Sequence, residues 1–195
     1  MTKDILINLP LVNQKTDTED KKWADNTCGV CAVKMLLGYF NPKYAKLKIM
    51  DLVREGVKKD GYDKRTGWRH DALAALAGGY GLKMDYQRKF LKKPAERKTG
   101  LAFIEKNIKN KKPVIASVYY NFNPRNGGHL VVVRGVRMAR SPAKRASGRV
   151  LGYHIQDPHP FRHFGHNYFV TKKEFLAGWR GGMLWINDLS RFVFN

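Results

Sequence analysis

The chain has 195 residues, with 37 Lys and Arg against 16 Asp and Glu, a formal net charge of +21 and a pI near 10.1. An apolar content of 43% excludes a disordered chain, no window approaches the roughly 18 apolar residues of a membrane span, and two cysteines are too few for a disulfide scaffold. A field this positive attracts nucleic acid, anionic lipid or acidic peptides, but Lys and Arg run from Lys3 to Arg191 without forming one stripe, and no helix-turn-helix, zinc-finger or RNA-recognition signature is present.

Residues 1–25 read as extended and polar, with one short apolar piece, ILINLPLV. They lack the basic start and long apolar run of a secretory signal, so a cytoplasmic location is expected. The stretch NTCGVCAVKMLLGYF, residues 26–40, then predicts a helix. Asn26 or Thr27 can cap it, Val30, Val33, Leu37 and Phe40 fall at helical spacing, and Asn41 and Pro42 stop it. A second amphipathic helix is expected in KLKIMDLVREGVKK, with Ile49, Leu52, Val53 and Val57 on one side. KDGYDKRTG reads as a loop, WRHDALAALAGGYGL as a third helix ended by Gly78 and Gly79, and AFIEKNIKN as a short fourth.

From Pro113 the pattern changes to short runs rich in Val, Ile, Tyr and Phe: PVIASVYY, HLVVVRGVRM, GYHIQDP, NYFV, GMLWIN and RFVFN. ARSPAKRASGR, residues 139–149, reads as an exposed basic hairpin loop, and TKKEFLAGW as a brief helix with a Thr171–Glu174 capping box. Helices followed by an antiparallel sheet make an α+β layout. One domain over residues 1–195 is expected, with a helical half to about residue 112 and a sheet half from about residue 113.

The chemistry-bearing residues divide between the two halves. Cys28 lies at the first turn of its helix, where the helix dipole and a neighbouring imidazolium would both lower a thiol pKa. Cys31, one turn deeper, suits packing. His129, in NGGHLVVVRGV, opens an apolar strand at the edge of a cleft, and Asp157, in IQDP, ends the following strand, which would bring it back beside His129. Such an Asp can hold the histidine tautomer by accepting its other N–H. The Cys28 N–H and the side-chain amide of Gln14 are candidate oxyanion donors. Trp68 and Trp179 are expected to line the groove.

Other readings use the same residues. Cys28–Cys31 is also a C-x-x-C at a helix start, the thioredoxin arrangement, but the preceding TDTEDKKWADN offers no buried strand. His154, His159, His163 and His166 cluster around a Pro-rich turn, with a spacing that matches no standard zinc pattern. No metal and no cofactor is expected.

Taken in order, LPLVNQ, NTCGVCAVKMLLGYF, GGHLVVVRGV, IQDP and FLAGWRGGMLWI resemble the papain-like cysteine peptidases of the bacteriocin-processing, double-glycine-leader type, over about residues 6–186. More specifically they resemble the stand-alone, peptidase-like branch, because no ATP-binding cassette or membrane segment follows. The resemblance implies a papain-like α+β fold, Cys28 as nucleophile, His129 as base, Asp157 as orienting acid and Gln14 as oxyanion glutamine. It implies a peptide or protein substrate and a thiol hydrolase; an acyl transferase fits the same residues. The alternative is a catalytically inactive binding module of the same fold, with nucleic acid as a partner through its basic surface.

Overall fold

The computed structural model describes residues 1–139, 148–161 and 165–187. Most of the expected basic hairpin loop, His163 and the RFVFN run lie outside the described residues. The described helices are α1 (Cys28–Phe40), α2 (Ile49–Lys58), α3 (His70–Gly79), α4 (Pro94–Lys109) and α5 (Lys172–Gly178). The strands are β1 (Thr2–Leu6), β2 (Tyr62–Asp63), β3 (Gly67–Trp68), β4 (Met84–Tyr86), β5 (Val114–Tyr119), β6 (Gly128–Ala139), β7 (Val150–Gln156), β8 (Asn167–Thr171) and β9 (Trp179–Ile186).

The predicted stripe on α1 is buried, but Cys31, Met35 and Leu36 on its other faces are also fully buried. A helix that is apolar all round belongs in an interior. Here α1 packs between α2, α3 and the long strand β6. Each fully buried Leu or Val contributes roughly 1.5–3 kcal/mol, so the element carrying Cys28 is firmly anchored. On α2 the expected face is corrected at one position. Val57 is exposed, and Gly56 is buried in its place, where an added Cβ would meet the Trp68 ring at 2.6 Å. The α2 start has no side-chain cap of its own; the Glu19 carboxylate accepts from Ile49 N (3.2 Å) and Met50 N (3.0 Å) instead. α4 begins at Pro94, earlier than AFIEKNIKN suggests, since proline suits the first helical turn. The Thr171–Glu174 capping box forms, with Thr171 N donating to Glu174 Oε2 at 2.7 Å.

The main sheet is antiparallel in the order β4-β9-β5-β6-β7-β8, and β1 pairs with the far end of β6 beyond β5. Two of these strands come from the half expected to be helical, which corrects the simple division at residue 112. β1 is mostly exposed on a sheet edge, and β4 is three residues long, so neither leaves an alternating apolar signature. The loop KDGYDKRTG contains the β2–β3 hairpin, closed by Asp63 Oδ1 accepting from Arg65 N (2.8 Å) and Thr66 N (2.9 Å). The fold is α+β, with α1 laid against one face of the sheet.

Candidate active site

Cys28 is the first residue of α1 and is partly exposed. Thr27 caps the helix by position only; its hydroxyl pairs with Thr18 Oγ1 at 3.0 Å inside the protein. The indole of Trp68 donates to Asn26 O at 2.6 Å and pins the chain just before the cysteine. Gly29 lets the helix start approach its neighbours, for a Cβ there would lie 2.8 Å from Leu73 and 3.0 Å from Leu130.

His129 is the second residue of β6, and Asp157 directly follows β7, whose Gln156 pairs with Val132. That antiparallel return brings His129 Nε2 to 2.6 Å from Asp157 Oδ1, with both residues buried. The other ring nitrogen is thereby left for Cys28, whose thiol interacts electrostatically with the His129 ring and with the Leu130 backbone N–H. Asp157 is held from every side. Its Oδ1 also accepts from His159 N at 2.8 Å, its Oδ2 accepts from the Tyr168 hydroxyl at 2.7 Å, and its own N–H donates to His166 O at 2.8 Å. Burial and the adjacent carboxylate push the Tyr168 hydroxyl well above its usual range, so it stays protonated and donates. Tyr120 sets its ring edge-on to His129, with centroids 5.5 Å apart, and its hydroxyl lies 3.1 Å from His159 Nδ1. The two residues after it, Asn121 and Phe122, adopt left-handed φ of 57° and 53°, a strained route that turns the chain back behind Tyr120.

The electrostatics of the pair follow from this geometry. Burial pushes the Cys28 thiol up, but the hydrogen bond and positive charge of His129 outweigh it, and the net shift is downward. Burial disfavours the His129 imidazolium, yet the Asp157 charge and hydrogen bond raise its pKa to about 10. The arrangement pulls the thiol toward thiolate and the imidazole toward imidazolium. Cys31 is the opposite case: it is fully buried, and its thiol is pushed up to about 12 by desolvation. Both cysteines are free, and residues 15–27 before the C-x-x-C form turns, not the strand a thioredoxin-type site needs.

Cys28 and His129 open onto a cleft of about 670 Å³. Trp68 and Tyr62 line the wall that carries β2 and β3, and Trp23 packs behind them with its ring centroid 5.0 Å from Tyr62. Ser117, Phe90 and Arg180 also line the cleft.

A model of the Peptidase_C39 like family matches residues 6–181. The chain belongs to that family. Solved structures of C39-like peptidases share its fold. A Bacillus anthracis protein of C39-like peptidase type superposes with a TM-score of 0.63 at 16% identity, over 97% of this chain and all of that one. A double glycine motif protease from an AMS/PCAT transporter, solved in complex with the leader peptide, gives 0.53 at 17% identity over 94% of each chain. The peptidase domain of Streptococcus mutans ComA gives 0.50 at 13% identity, over 91% of this chain and 98% of that one. No curated protein matches by sequence.

In this C39-like chain the predicted residues have three different settings. Cys28, His129 and Asp157 come together, and Trp68 lines the cleft. Gln14 is buried beside them without lining the cleft: its N–H donates to Pro158 O at 2.9 Å and its side-chain nitrogen to Ala24 O at 2.9 Å. Trp179 is not a groove residue. It is 1% exposed in the core, stacked on Phe175 at 5.9 Å and donating to Gly182 O at 2.9 Å, because its strand position faces α4 and α5. His159 and His166 are spent on the turn around Asp157. Among the described residues no group of His, Cys, Asp or Glu could hold a metal ion, and no helix is long and apolar enough to cross a membrane. Tyr120, Tyr168, His70 and Arg180 are site residues that sequence reading missed.

Proposed function

We propose that this protein is a cysteine peptidase in which Cys28, His129 and Asp157 carry the reaction. The observation that bears this reading is the buried His129–Asp157 hydrogen bond, with His129 and Cys28 lining the same open cleft. The Cys28 thiolate attacks the carbonyl carbon of a peptide bond, forming a C–S bond as the carbonyl electron pair moves onto oxygen. The Cys28 N–H, at the free end of α1, donates to that oxyanion. Gln14 is a second donor once its amide releases Ala24, and loss of one such donor costs about 100- to 1000-fold in rate. The oxyanion collapses, the C–N bond breaks, and the His129 imidazolium protonates the departing amine. Water then attacks the thioester while His129 takes its proton, releasing the acid and restoring the thiolate–imidazolium pair. Asp157 holds the ring in place throughout. A peptide substrate is supported by the family and by the leader peptide bound to the related transporter protease.

The test uses residue-resolved alkylation and a peptide digest. A free thiol of pKa about 8.5 is roughly 0.3% thiolate at pH 6, so an activated Cys28 should react with iodoacetamide about 100-fold faster than free cysteine and lose that advantage in His129→Ala. Incubated with a tryptic digest of mixed proteins, the wild type should create new peptide termini that Cys28→Ala does not. Labelling of Cys28 no faster than free cysteine, together with an unchanged digest, would leave the inactive binding module as the better reading.

A further inference from the structure

The cleft lining carries a cation, Arg180, that the reaction does not use. Between Ser117 and Val118 of β5 the pairing with β9 shifts, so that Ser117 faces Gly182 while Val118 faces Trp179, leaving Arg180 and Gly181 as extra residues. Bulges of this kind re-aim a side chain out of the sheet. Gly181 has φ of 87°, and a Cβ there would run into the Leu91 backbone, whose N–H donates to Gly181 O at 3.0 Å. The bulge is therefore tied to the strap of residues 87–91 that walls the cleft. It turns Arg180 toward Gly128, the residue immediately before His129, where any Cβ would collide with the guanidinium. The missing side chain at Gly128 makes the space that the guanidinium occupies.

Arg180 is held there by aromatic faces, with its guanidinium carbon 5.3 Å from the Phe90 ring and 5.6 Å from the Tyr119 ring. Such stacking fixes a guanidinium without neutralising it or using its in-plane donors. Among the described residues it has no hydrogen bond or ion pair, whereas the other charges nearby are mostly matched. Arg69 pairs with Asp71, Asp25 pairs with Lys15, and Arg88 is exposed at the rim. His70, also in the cleft, is desolvated and repelled by Arg180, which holds its pKa near 4 and keeps it neutral at pH 7.

We propose that Arg180 is the specificity residue of the cleft and binds a carboxylate of the substrate, that of an acidic side chain or a peptide C-terminus close to the scissile bond; this rests on the cysteine-peptidase reading above. A planar fork of unused donors beside the reacting pair matches a carboxylate in shape and charge. Cys28 and Arg180 line the same cleft, and Arg180 lies against Gly128, next to His129, so a ligand bound at the reacting pair is within reach of the guanidinium.

The test compares alkylation of Cys28 by iodoacetate, which carries a carboxylate, with alkylation by neutral iodoacetamide. This readout needs no peptide turnover. The iodoacetate-to-iodoacetamide rate ratio should fall about 5-fold in Arg180→Gln and further in Arg180→Glu, as expected for removing one unit charge at short range, and the wild-type ratio should fall with added salt. A ratio unchanged in both variants overturns the proposal. In the peptide digest, wild-type cleavages should be enriched for Asp or Glu at one position, which assigns the side chain, or lie at a fixed distance from a free C-terminus, which assigns the terminal carboxylate. Arg180→Gln should lose that enrichment. Cleavage with no acidic preference also overturns the proposal, whereas a falling alkylation ratio without any cleavage upholds carboxylate binding and removes the peptidase reading.

Discussion

His129 Nε2 and Asp157 Oδ1 lie 2.6 Å apart across 28 residues of chain, at the joint where β7 returns beside the start of β6. Neither group is placed by its own neighbours in sequence. The β6–β7 pairing delivers them, and Tyr168 and the His159 N–H then clamp the carboxylate so that its remaining direction is the imidazole.

The first consequence is a pH profile of stability. His129, raised from 6.5 to about 10, contributes stability that is full below 6.5 and lost as pH rises through about 10. Cys28, lowered from 9.0, contributes stability that is present above 9.0 and lost as pH falls through its folded value. Below 9.0, and above both 6.5 and the folded value of Cys28, the two slopes oppose each other, because the folded pair keeps its proton on His129 while the unfolded pair keeps one on Cys28. Urea unfolding of the wild type, minus that of Cys28→Ala/His129→Gln, should be nearly level across this window and should fall on both sides. A steady slope through the window would show that the two groups do not titrate as a pair.

Asp157→Asn and Asp157→Ala should separate charge from hydrogen bonding. Asn keeps an acceptor for the His129 ring but removes the charge that raises its pKa, so the midpoint for Cys28 alkylation should move up in pH while the fold survives. The direct repulsion between Asp157 and the thiolate disappears as well, but it ranks below the His129 contributions that are weakened. Ala also strands the Tyr168 hydroxyl and the His129 ring inside the protein, and should cost about 3 kcal/mol in urea unfolding. An Asn variant with an unshifted alkylation midpoint would remove the charge argument.

Tyr120 should act as a positioning residue through its ring more than its hydroxyl. The edge-on contact covers His129, while the hydroxyl reaches only His159. Tyr120→Phe should keep the wild-type alkylation profile, and Tyr120→Ala should let water reach the imidazole, relieve the burial that opposes both charges and lower the Cys28 midpoint. Equal effects of Phe and Ala would assign the role to the hydroxyl instead.

Much of this protein is legible without coordinates. The 3–4 spacing in VCAVKMLLGYF, the proline stop at residue 42, the Thr171–Glu174 box and the runs of Val and Ile all report local physics that acts within a few residues. The order of Cys28, His129 and Asp157, each at an element boundary, is visible in the same way. Tertiary structure decided what depends on faces and pairing. Trp179 and Trp68 are equally aromatic, yet the register of β9 sends one into the core while the β2–β3 hairpin presents the other to the cleft. Val57 and Gly56 exchange their expected burial because Trp68, from another segment, needs the room of a glycine. Gln14 reaches the Asp157 turn, but its amide is taken by Ala24. Arg180 is one of 37 basic residues in the sequence, and only the bulge in β9 and the empty Cα of Gly128 bring it beside His129. A local pattern records how apolar a residue is; the partner it meets is set by strand register and close packing over distances that no local pattern encodes.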